Sequence, residues 1–431
     1  MDPKSPASSA YQPRVVDSEL DALLAGLPAV SIEGPKAVGK TKTAIRRVVS
    51  TFAFDRPAVK EVAEADFGQL LRAPRPILFD EWQQYPPSWD FIRRAVDDEG
   101  SPGQYVLTGS TGPTSAPTHS GAGRIIRLRM RPMSLFERQL EEPTVSFAAL
   151  LTGDCPEIEG RSSVDLDGYV DEIFCSGFPG IRTLTDRALR AQLRGYVDRI
   201  IDRDFEESGY VVRNAGALRR WLTAYAAASS TSAAFERIRD AATSGEGDKP
   251  AKVTASAYRS ILESMWILDP VPAWLPTKNH LQQLGHASKH QLADPALAVT
   301  LLGLDKPALL GLNPSPHEDP RDGTFLGAMF ESLVTLSIRV LAQGAEARVS
   351  HLRTHRGERE IDLIVEGAGG RVLALEVKLA STVNDHDVRH LRWLRDQIGD
   401  DLADAAVITT GQHAYRRTDG IAVIPAALIG P

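Results

Sequence analysis

The chain has 431 residues, of which 42% are hydrophobic and 24% are charged, and its formal net charge is -7. These values are typical of a soluble globular protein with two or three domains, and the acidic balance argues against a general polyanion-binding protein. The only two cysteines, Cys155 and Cys175, exclude a disulfide framework and a cysteine-rich metal site, and they are consistent with a reducing compartment.

Residues 1 to about 12 predict a disordered tail, and the first ten lack the apolar segment of a signal peptide. We find no apolar run near the roughly 18 residues that span a bilayer, so we expect a cytoplasmic protein with no membrane partner. Apolar residues at helical spacing over residues 15–27 predict a helix, and the β-prone residues 29–32 predict the first strand.

Residues 34–41 read G-x-x-x-x-G-K-T between that strand and a helix predicted at 43–49, as a phosphate-binding loop requires. Gly34 and Gly39 can adopt backbone angles that are closed to other residues, so the loop N–H groups can turn toward phosphates. Lys40 can reach the β- and γ-phosphates, and the Thr41 hydroxyl can bind Mg²⁺. A glycine-rich turn is the alternative. The pattern predicts ATP and Mg²⁺ as cofactors, with nucleotide bound by Gly34, Pro35, Lys36, Ala37, Val38, Gly39, Lys40, Thr41 and Lys42.

Two later strands end in residues that suit the same site. A hydrophobic strand at residues 76–79 is followed by Asp80, predicted to hold Mg²⁺ through water, and by Glu81, predicted to polarise the attacking water. A strand at residues 104–108 is followed by Ser110, predicted to sense the γ-phosphate or the water, because ligands bind beyond the carboxyl ends of parallel strands. A serine- and threonine-rich turn is the alternative for Ser110.

Alternating residues at 124–131 predict a strand with Arg127, Arg129 and Arg131 on one face. Two interpretations of this stretch stay open. In the first, it is a half-buried strand with a solvated basic face. In the second, Arg124 or a neighbour is an arginine finger that acts on an adjacent subunit, which requires a homo-oligomer.

These motifs resemble those of bacterial and archaeal AAA-type ATPases that carry a restriction-endonuclease-like C-terminal domain of unassigned function. The resemblance covers most of the chain and implies ATP binding and hydrolysis, but it names no substrate. Lys36 stands where that family often has arginine, which preserves the positive charge. The segments that carry the resemblance are residues 11–14 (YQPR), the phosphate loop, 78–81, 107–110, 123–124, 132–137, 176–179 and the C-terminal strands.

The middle of the chain has weaker signals. Residues 167–205 predict helices that resemble the helical lid of AAA proteins; Arg199 or Arg203 could approach the nucleotide there, or could lie on a solvated helix face. A helix, a turn, a second helix from about residue 254 and then a strand suggest a winged helix. Its DNA-contacting residues would be Thr254, Ser256, Tyr258 and Arg259. Because this segment is not strongly basic, a structural module without DNA contact is the alternative.

The last hundred residues predict the element order αβββαβ, with Asp362 on one strand and Glu376-x-Lys378 on the next. This arrangement resembles the PD-(D/E)xK nuclease fold. Glu376 and Lys378 share a strand face, so Asp362 and Glu376 are predicted to bind a divalent metal, Lys378 to orient water, and Glu331 to add a ligand. Such domains also serve as scaffolds for binding or assembly, and that alternative stays open.

The predicted fold class is therefore α/β, with a AAA-type P-loop NTPase domain at residues 13–140 and a helical lid at 141–210. A winged-helix-like region at 211–285, a linker at 286–323 and a nuclease-like α/β domain at 324–431 follow. One functional hypothesis is an ATP-driven switch or motor that acts on nucleic acid, with DNA as partner. The other is a nucleotide-dependent protein-binding switch whose nuclease-like domain is an inactive scaffold.

Overall fold

The structure is a computed structural model that describes residues 11–110, 122–243, 249–276, 286–312, 322–354 and 357–431. Most of the predicted N-terminal tail lies outside the described residues. So do the end of the predicted linker and most of the small-residue segment that precedes Arg124.

A five-stranded parallel sheet carries the phosphate-binding sequence, and its strand order is β2-β3-β4-β1-β5. Strands β1, β3 and β4 are almost continuously buried, as expected for a parallel sheet covered on both faces. The elements of this part are α1 (Val15–Gly26), β1 (Ala29–Glu33), α2 (Lys40–Ile45), β2 (Ser50–Ala53), α3 (Pro57–Leu71), β3 (Ile77–Asp80), α4 (Pro87–Asp98), β4 (Tyr105–Gly109) and β5 (Ile125–Arg129).

The middle of the chain is mainly helical, and a π-helix at Ile200–Asp204 extends α8 into α9. Its elements are β6 (Val145–Ser146), α5 (Phe147–Thr152), β7 (Gly160–Arg161), α6 (Leu166–Cys175), α7 (Pro179–Arg182), α8 (Asp186–Arg199), α9 (Phe205–Glu207), α10 (Ala215–Ala227), α11 (Phe235–Ala241), α12 (Lys252–Ser264), β8 (Ala273–Trp274), α13 (Pro295–Leu301) and α14 (Lys306–Leu309).

Helices α10 to α12 are followed by two antiparallel β-bridges, Leu268 with Leu292 and Val271 with Lys289. The winged-helix prediction requires a helix, a turn, a second helix and a strand, whereas three helices precede the paired extended chain here, so the winged helix stays a prediction. The Tyr258 side chain, however, is only 3% exposed, and its ring contacts Phe205 and Trp221. The prediction that Tyr258 contacts nucleic acid is therefore wrong, because its ring is part of the core.

The predicted linker is a packed part of the protein over its described residues 286–312. Asp294 is fully buried, and its carboxylate caps α13 by accepting from the backbone N of Ala296 at 2.8 Å. The same carboxylate accepts from the backbone N of Gly177 at 2.6 Å. The linker prediction fails because the prolines and charges of this stretch begin and cap short helices.

The C-terminal part has the predicted element order αβββαβ followed by three more short strands. These elements are α15 (Asp322–Gly344), β9 (Arg348–Arg353), β10 (Glu360–Glu366), β11 (Val372–Lys378), α16 (Arg389–Ile398), β12 (Leu402–Thr409), β13 (His413–Arg416), β14 (Ala422–Pro425) and β15 (Ile429–Gly430). The sheet has eight strands in the order β7-β13-β14-β12-β11-β10-β9-β8. Strands β7 and β8 come from the middle of the chain, so the sheet crosses the boundary predicted at residue 324.

Helix α15 contains the most apolar long segment among the described residues. Residues Phe325–Gly344 form a helical segment long and apolar enough to span a bilayer. Within the protein, 72% of its most apolar 18-residue stretch is buried. The expectation that no run approaches this length is therefore wrong. The helix packs against α1, β9 and β11.

Three parts of the chain meet at the buried carboxylate of Asp269. Its oxygens lie 3.0 Å from Arg129 and 2.9 Å from Arg131, at the end of β5, and 2.7 Å from Arg339 of α15. Gln343 of α15 also donates to the backbone oxygen of Arg129 at 2.7 Å. The edge strand of the first sheet is thus fixed to the helix that supports the second sheet.

Candidate nucleotide site

The loop between β1 and α2 has the backbone geometry of a phosphate-binding loop. Gly39 has φ of 108°, a left-handed conformation that favours glycine, and it immediately precedes α2. Gly34 is required for a different reason than predicted, because it does not have a positive φ. A Cβ at Gly34 would collide with the backbone oxygen of Met130, which follows β5.

Lys40 is 5% exposed, and its Nζ donates to the backbone oxygens of Gly34 and Pro35, each at 2.9 Å. Burial lowers the pKa of this lysine to about 8, against the opposing effect of the Glu81 and Asp80 carboxylates. The ammonium is thus held inside the loop by two neutral acceptors, which anionic phosphate oxygens can replace. Lys42, in the first turn of α2, is exposed.

Thr41 and Asp80 meet at the carboxyl ends of β1 and β3. The Thr41 hydroxyl donates to the Asp80 Oδ1 at 2.7 Å, and the Thr108 hydroxyl donates to the same oxygen. A hydroxyl and a carboxylate are the hard oxygen donors that Mg²⁺ prefers, so the residues fit the ion that the sequence predicts. Thr108 was not among the predicted site residues, although it lies at the end of the strand that leads to Ser110.

Glu81 follows Asp80 with φ of 53°, a left-handed conformation that is uncommon for a non-glycine residue. Its carboxylate accepts from the Ser110 hydroxyl at 3.2 Å and from the side-chain amide of Gln83. The structure therefore brings Glu81 and Ser110 together, as predicted. Gln83 is 8% exposed and was missed, although its position two residues after Glu81 is the signal that could have found it.

The helical region contacts the loop at Lys36. The Lys36 Nζ lies 2.7 Å from Asp204 Oδ1 and 2.6 Å from Glu207 Oε2, and the Tyr196 hydroxyl donates to the Lys36 backbone oxygen at 3.1 Å. Burial lowers the pKa of Lys36, but its two carboxylate partners outweigh that effect and raise it overall. Arg199 joins this cluster 3.3 Å from Asp204. Arg203 is exposed.

Arg14, from the YQPR motif, supports the loop from behind. Its guanidinium donates to the Val38 backbone oxygen at 3.0 Å and to the Arg131 backbone oxygen at 2.7 Å, and lies 3.0 Å from Glu137. Residues 11–14 and 132–137 both carry the family resemblance. Arg14 and Glu137 join these two segments in one buried contact. Ala37, inside the loop, also has a positive φ of 64°.

Arg124 lies away from these residues. It immediately precedes β5, which runs parallel to β1, so it sits at the edge of the sheet opposite the phosphate loop. Its Nε donates to Asp97 Oδ1 at 2.7 Å, and its side chain is 46% exposed. Within one chain Arg124 does not join the site, so a role as a finger requires a neighbouring subunit and stays a prediction.

The four residues of the predicted nuclease-like site do converge in the C-terminal part. Leu363 of β10 lies opposite Leu375 of β11, which places Asp362 beside Glu376 on the neighbouring strand. The Nζ of Lys378 donates to Glu376 Oε1 at 2.7 Å, and the backbone N of Val377 donates to Asp362 Oδ2 at 2.9 Å.

A fifth residue, Lys289, lies among these carboxylates. Its Nζ is 2.7 Å from Glu331 Oε1 and 3.1 Å from Asp362 Oδ1. In the part of the chain that the structure describes, no three His, Cys, Asp or Glu side chains are arranged to hold a metal ion. The prediction of a metal at Asp362 and Glu376 does not fit this geometry, because a lysine supplies the positive charge that the carboxylates require.

The parallel sheet, the loop and the carboxyl-end cluster of Lys40, Thr41, Asp80 and Glu81 define an AAA-type P-loop ATPase domain. In agreement, residues 27–139 match the family model described as AAA domain. Residues 166–308 and 326–429 match two further families, each described as a domain of unknown function, DUF8612 and DUF4143.

Two curated relatives are similar along nearly the whole chain. Uncharacterized protein Rv2008c of Mycobacterium tuberculosis is 24% identical over 410 residues, which cover 93% of this chain and 80% of the relative. Uncharacterized protein Mb2031c of Mycobacterium bovis has the same identity and coverage.

Two solved structures are similar at low identity. The Walker-type ATPase PABY2304 of Pyrococcus abyssi has a TM-score of 0.41 at 15% identity, over 70% of this chain and 99% of that one. The ORC2 protein of Aeropyrum pernix, in ADPNP-ADP complexes, has a TM-score of 0.30 at 14% identity, over 68% and 95%.

Proposed function

We propose that the protein binds ATP with Mg²⁺ and hydrolyses it, and that the nucleotide changes how the helical lid packs on the phosphate loop. The observation that carries this proposal is the convergence of the Thr41 hydroxyl and the Asp80 carboxylate, 2.7 Å apart, beside Lys40 and Glu81. This arrangement provides a metal-binding pair, a phosphate-binding ammonium and a base for water within one cluster.

In this proposal each side chain has a separate task. Lys40 would exchange its bonds with the Gly34 and Pro35 oxygens for bonds with the β- and γ-phosphates. Thr41 and Asp80 would hold Mg²⁺, which would supply positive charge beside the phosphates. Glu81 polarises the attacking water, and Gln83 and Ser110 fix the orientation of its carboxylate.

The helical region acts as a lid because its carboxylates share Lys36 with the loop. Asp204 and Glu207 hold this ammonium at 2.7 and 2.6 Å, and the oxygens of a bound triphosphate compete for it. Binding and hydrolysis would therefore alter the contact between α8, the π-helix and the loop. Arg199 would remain with the lid carboxylates.

The macromolecule on which the switch acts is part of the proposal. The first candidate is DNA, contacted through the amino end of α12, where Ser256 is exposed and Thr254 is partly exposed. The second candidate is a protein partner, bound by a cytoplasmic homo-oligomer whose nuclease-like part is a scaffold. Two observations favour the second: Tyr258 is buried, and the Arg259 guanidinium lies over the Phe235 ring, 4.5 Å from its centre.

ATP turnover by the purified full chain tests both candidates, measured with and without Mg²⁺ and duplex DNA. We expect Mg²⁺-dependent turnover that Lys40→Ala abolishes. Stimulation by DNA would favour the first candidate; unstimulated turnover with nucleotide-dependent capture of a defined protein would favour the second. A folded protein that binds ATP without hydrolysing it would contradict the ATPase proposal.

A further inference from the structure

The side chain of Lys289 is 1% exposed, although lysine is seldom fully buried. Its Nζ contacts the Glu331 carboxylate at 2.7 Å and the Asp362 carboxylate at 3.1 Å, and lies 3.9 Å from Glu360. The ammonium thus lies between Glu331 on α15 and Asp362 on β10, the two elements expected to offer metal ligands.

The backbone holds Lys289 firmly in this position. Lys289 and Val271 exchange two backbone hydrogen bonds of 2.9 Å in an antiparallel bridge, next to β8 at the edge of the eight-stranded sheet. The following backbone N, of His290, donates to the Thr231 oxygen at 2.8 Å. The lysine therefore enters the cluster from outside the C-terminal part, on a segment that is itself tied to the middle helices.

The charges balance without a metal ion. The cluster has three largely buried carboxylates, from Glu331, Asp362 and Glu376, and two ammonium groups, from Lys289 and Lys378. Burial raises the pKa of Asp362, but the Lys289 and Lys378 charges outweigh it and lower it overall. Burial and the neighbouring Asp362 carboxylate raise the pKa values of Glu331 and Glu376 to about 8. The two ammonium groups leave one negative charge, which a single proton retained by Glu331 or Glu376 neutralises.

We propose that Lys289 is a resident cation in the place of a divalent metal, so that this cluster is an ion network that fastens the middle region to the C-terminal sheet. The nuclease-like part then binds no catalytic metal and does not cut nucleic acid by metal-dependent hydrolysis. A metal on Glu331 and Asp362 would require oxygens about 2 Å from the ion, and the Lys289 ammonium already occupies that space and repels a second cation. This inference does not depend on the ATPase proposal.

Mn²⁺ binding to the full chain without nucleotide tests the proposal. An Asp80→Asn background removes the metal pair of the nucleotide site, and Mn²⁺ is followed by electron paramagnetic resonance and by Tm. We expect no bound Mn²⁺ and no rise in Tm in this background. Adding Lys289→Met frees the carboxylates, so we expect about one Mn²⁺ per chain and a Tm rise of several degrees at millimolar Mn²⁺.

Lys306→Met is the matched control. Lys306 also bridges two carboxylates, Asp167 at 2.7 Å and Asp171 at 2.6 Å, but its side chain is partly exposed and both partners are well exposed. We expect the control to gain no Mn²⁺ and to keep its Tm, whereas Lys289→Met lowers the Tm in the absence of metal, because it leaves buried carboxylates unpaired.

If Lys289→Met fails to fold, Lys289→Met with Asp362→Asn removes one of the unpaired charges. Recovery of folding in this double variant, without Mn²⁺ binding, supports the proposal. Two results would overturn it: one Mn²⁺ bound in the Asp80→Asn protein and lost on adding Asp362→Asn, or a Lys289→Met protein with unchanged Tm and no Mn²⁺.

Discussion

The Nζ of Lys36 lies 2.7 Å from the Oδ1 of Asp204, although the two residues are 168 positions apart in the chain. This ion pair joins the phosphate-binding loop to the π-helix of the lid. The side chain of Lys36 is 25% exposed and that of Asp204 is 8% exposed, so the pair is shielded from much of the solvent. A bound triphosphate places further anionic oxygens beside the same ammonium.

We expect Asp204→Asn to tighten ATP binding several-fold, because it removes a negative charge near the phosphates and releases Lys36 from one partner. The change corresponds to about 1 kcal/mol, the scale of a partly exposed ion pair. Isothermal calorimetry would measure it. Asp198→Asn is the control, because Asp198 pairs with Arg219 on the exposed surface of the lid. An unchanged ATP affinity in Asp204→Asn would show that the contact between Asp204 and Lys36 does not affect nucleotide binding.

The affinity for ATP should depend on pH through Lys40. Burial lowers the pKa of this lysine to about 8, so the free protein loses the ammonium charge above that pH. Below pH 8 the ammonium is present and binding is at its strongest. Above it, binding must take up a proton, and the affinity falls by up to about tenfold per pH unit.

Calorimetry in buffers with different ionisation enthalpies would detect that proton uptake at pH 8.5. Lys40→Ala should lack it and should bind ATP about 10- to 100-fold more weakly at pH 7, the worth of a hydrogen bond to a charged group. The exposed Lys42→Ala is the control. Proton uptake that persists in Lys40→Ala would assign it to another residue.

Glu81→Gln should bind ATP with nearly unchanged affinity and lose at least about 100-fold in kcat, because a base for water acts in turnover and not in binding. A steady-state phosphate-release assay beside an equilibrium binding measurement distinguishes the two effects. Glu99→Gln, which alters a carboxylate 2.8 Å from Arg75, should leave both values unchanged. Parental turnover in Glu81→Gln would remove Glu81 from the reaction.

Arg124 is predicted to complete the site of a neighbouring subunit. Arg124→Ala should then bind nucleotide normally and lose turnover by about 10³-fold. Mixing it with Lys40→Ala protein should restore part of the activity, because the second variant supplies Arg124 to the intact loop of the first. Arg127→Ala, which changes an exposed residue on the adjoining strand β5, should turn over ATP normally. No recovery in a mixture shown to co-assemble would refute action between subunits.

The stability of the protein should depend on pH through Glu376. Burial, with the Asp362 charge, raises the pKa of this carboxyl to about 8 in the folded state, from an ordinary value of 4.5. Between these values the folded state binds more protons than the unfolded state, so this group makes the free energy of unfolding fall as pH rises. The slope is at most about 1.4 kcal/mol per pH unit.

Glu376→Gln removes that dependence. From pH 5 to pH 8 the free energy of unfolding of the parent should therefore fall relative to that of the variant. Urea unfolding at several pH values would measure it, with the exposed Glu358→Gln as control. If the free energies of unfolding of parent and variant changed with pH in parallel, Glu376 would ionise normally.

The sequence could place the residues of the candidate nucleotide site together because the signals for them are local. The loop, Asp80 with Glu81, and Ser110 each directly follow a buried strand, so the parallel sheet brings them to one edge without further information. Gln83 lies two residues after Glu81, at the same edge of the sheet. The sequence did not single it out because amide side chains at such a position have many structural roles. The αβββαβ order of the C-terminal part was also predictable from local signals, because each helix and strand has its own periodicity of apolar residues.

Lys289 and Asp269 could not be predicted in this way. Both lie in segments with little periodicity, and their partners come from distant elements, such as Asp362, 73 positions beyond Lys289. The metal prediction at Asp362 and Glu376 rests on the rule that neighbouring carboxylates require a cation, but the sequence pattern does not show that Lys289 lies beside Asp362. The linker prediction for residues 286–323, the stretch that contains Lys289, failed as well.

The pairing of β15 with β6 has a consequence for synthesis. Ile429 lies opposite Val145, and the backbone N of Ala427 donates to the Tyr169 hydroxyl oxygen, 258 positions away. While the ribosome makes the C-terminal half, β6, β7 and the apolar surface around Tyr169 have no partner. Such non-local pairing slows folding and leaves these segments open to aggregation or chaperone binding until the last strands emerge. Cells that make this protein quickly should therefore accumulate its nascent chains on chaperones that recognise residues 145–170.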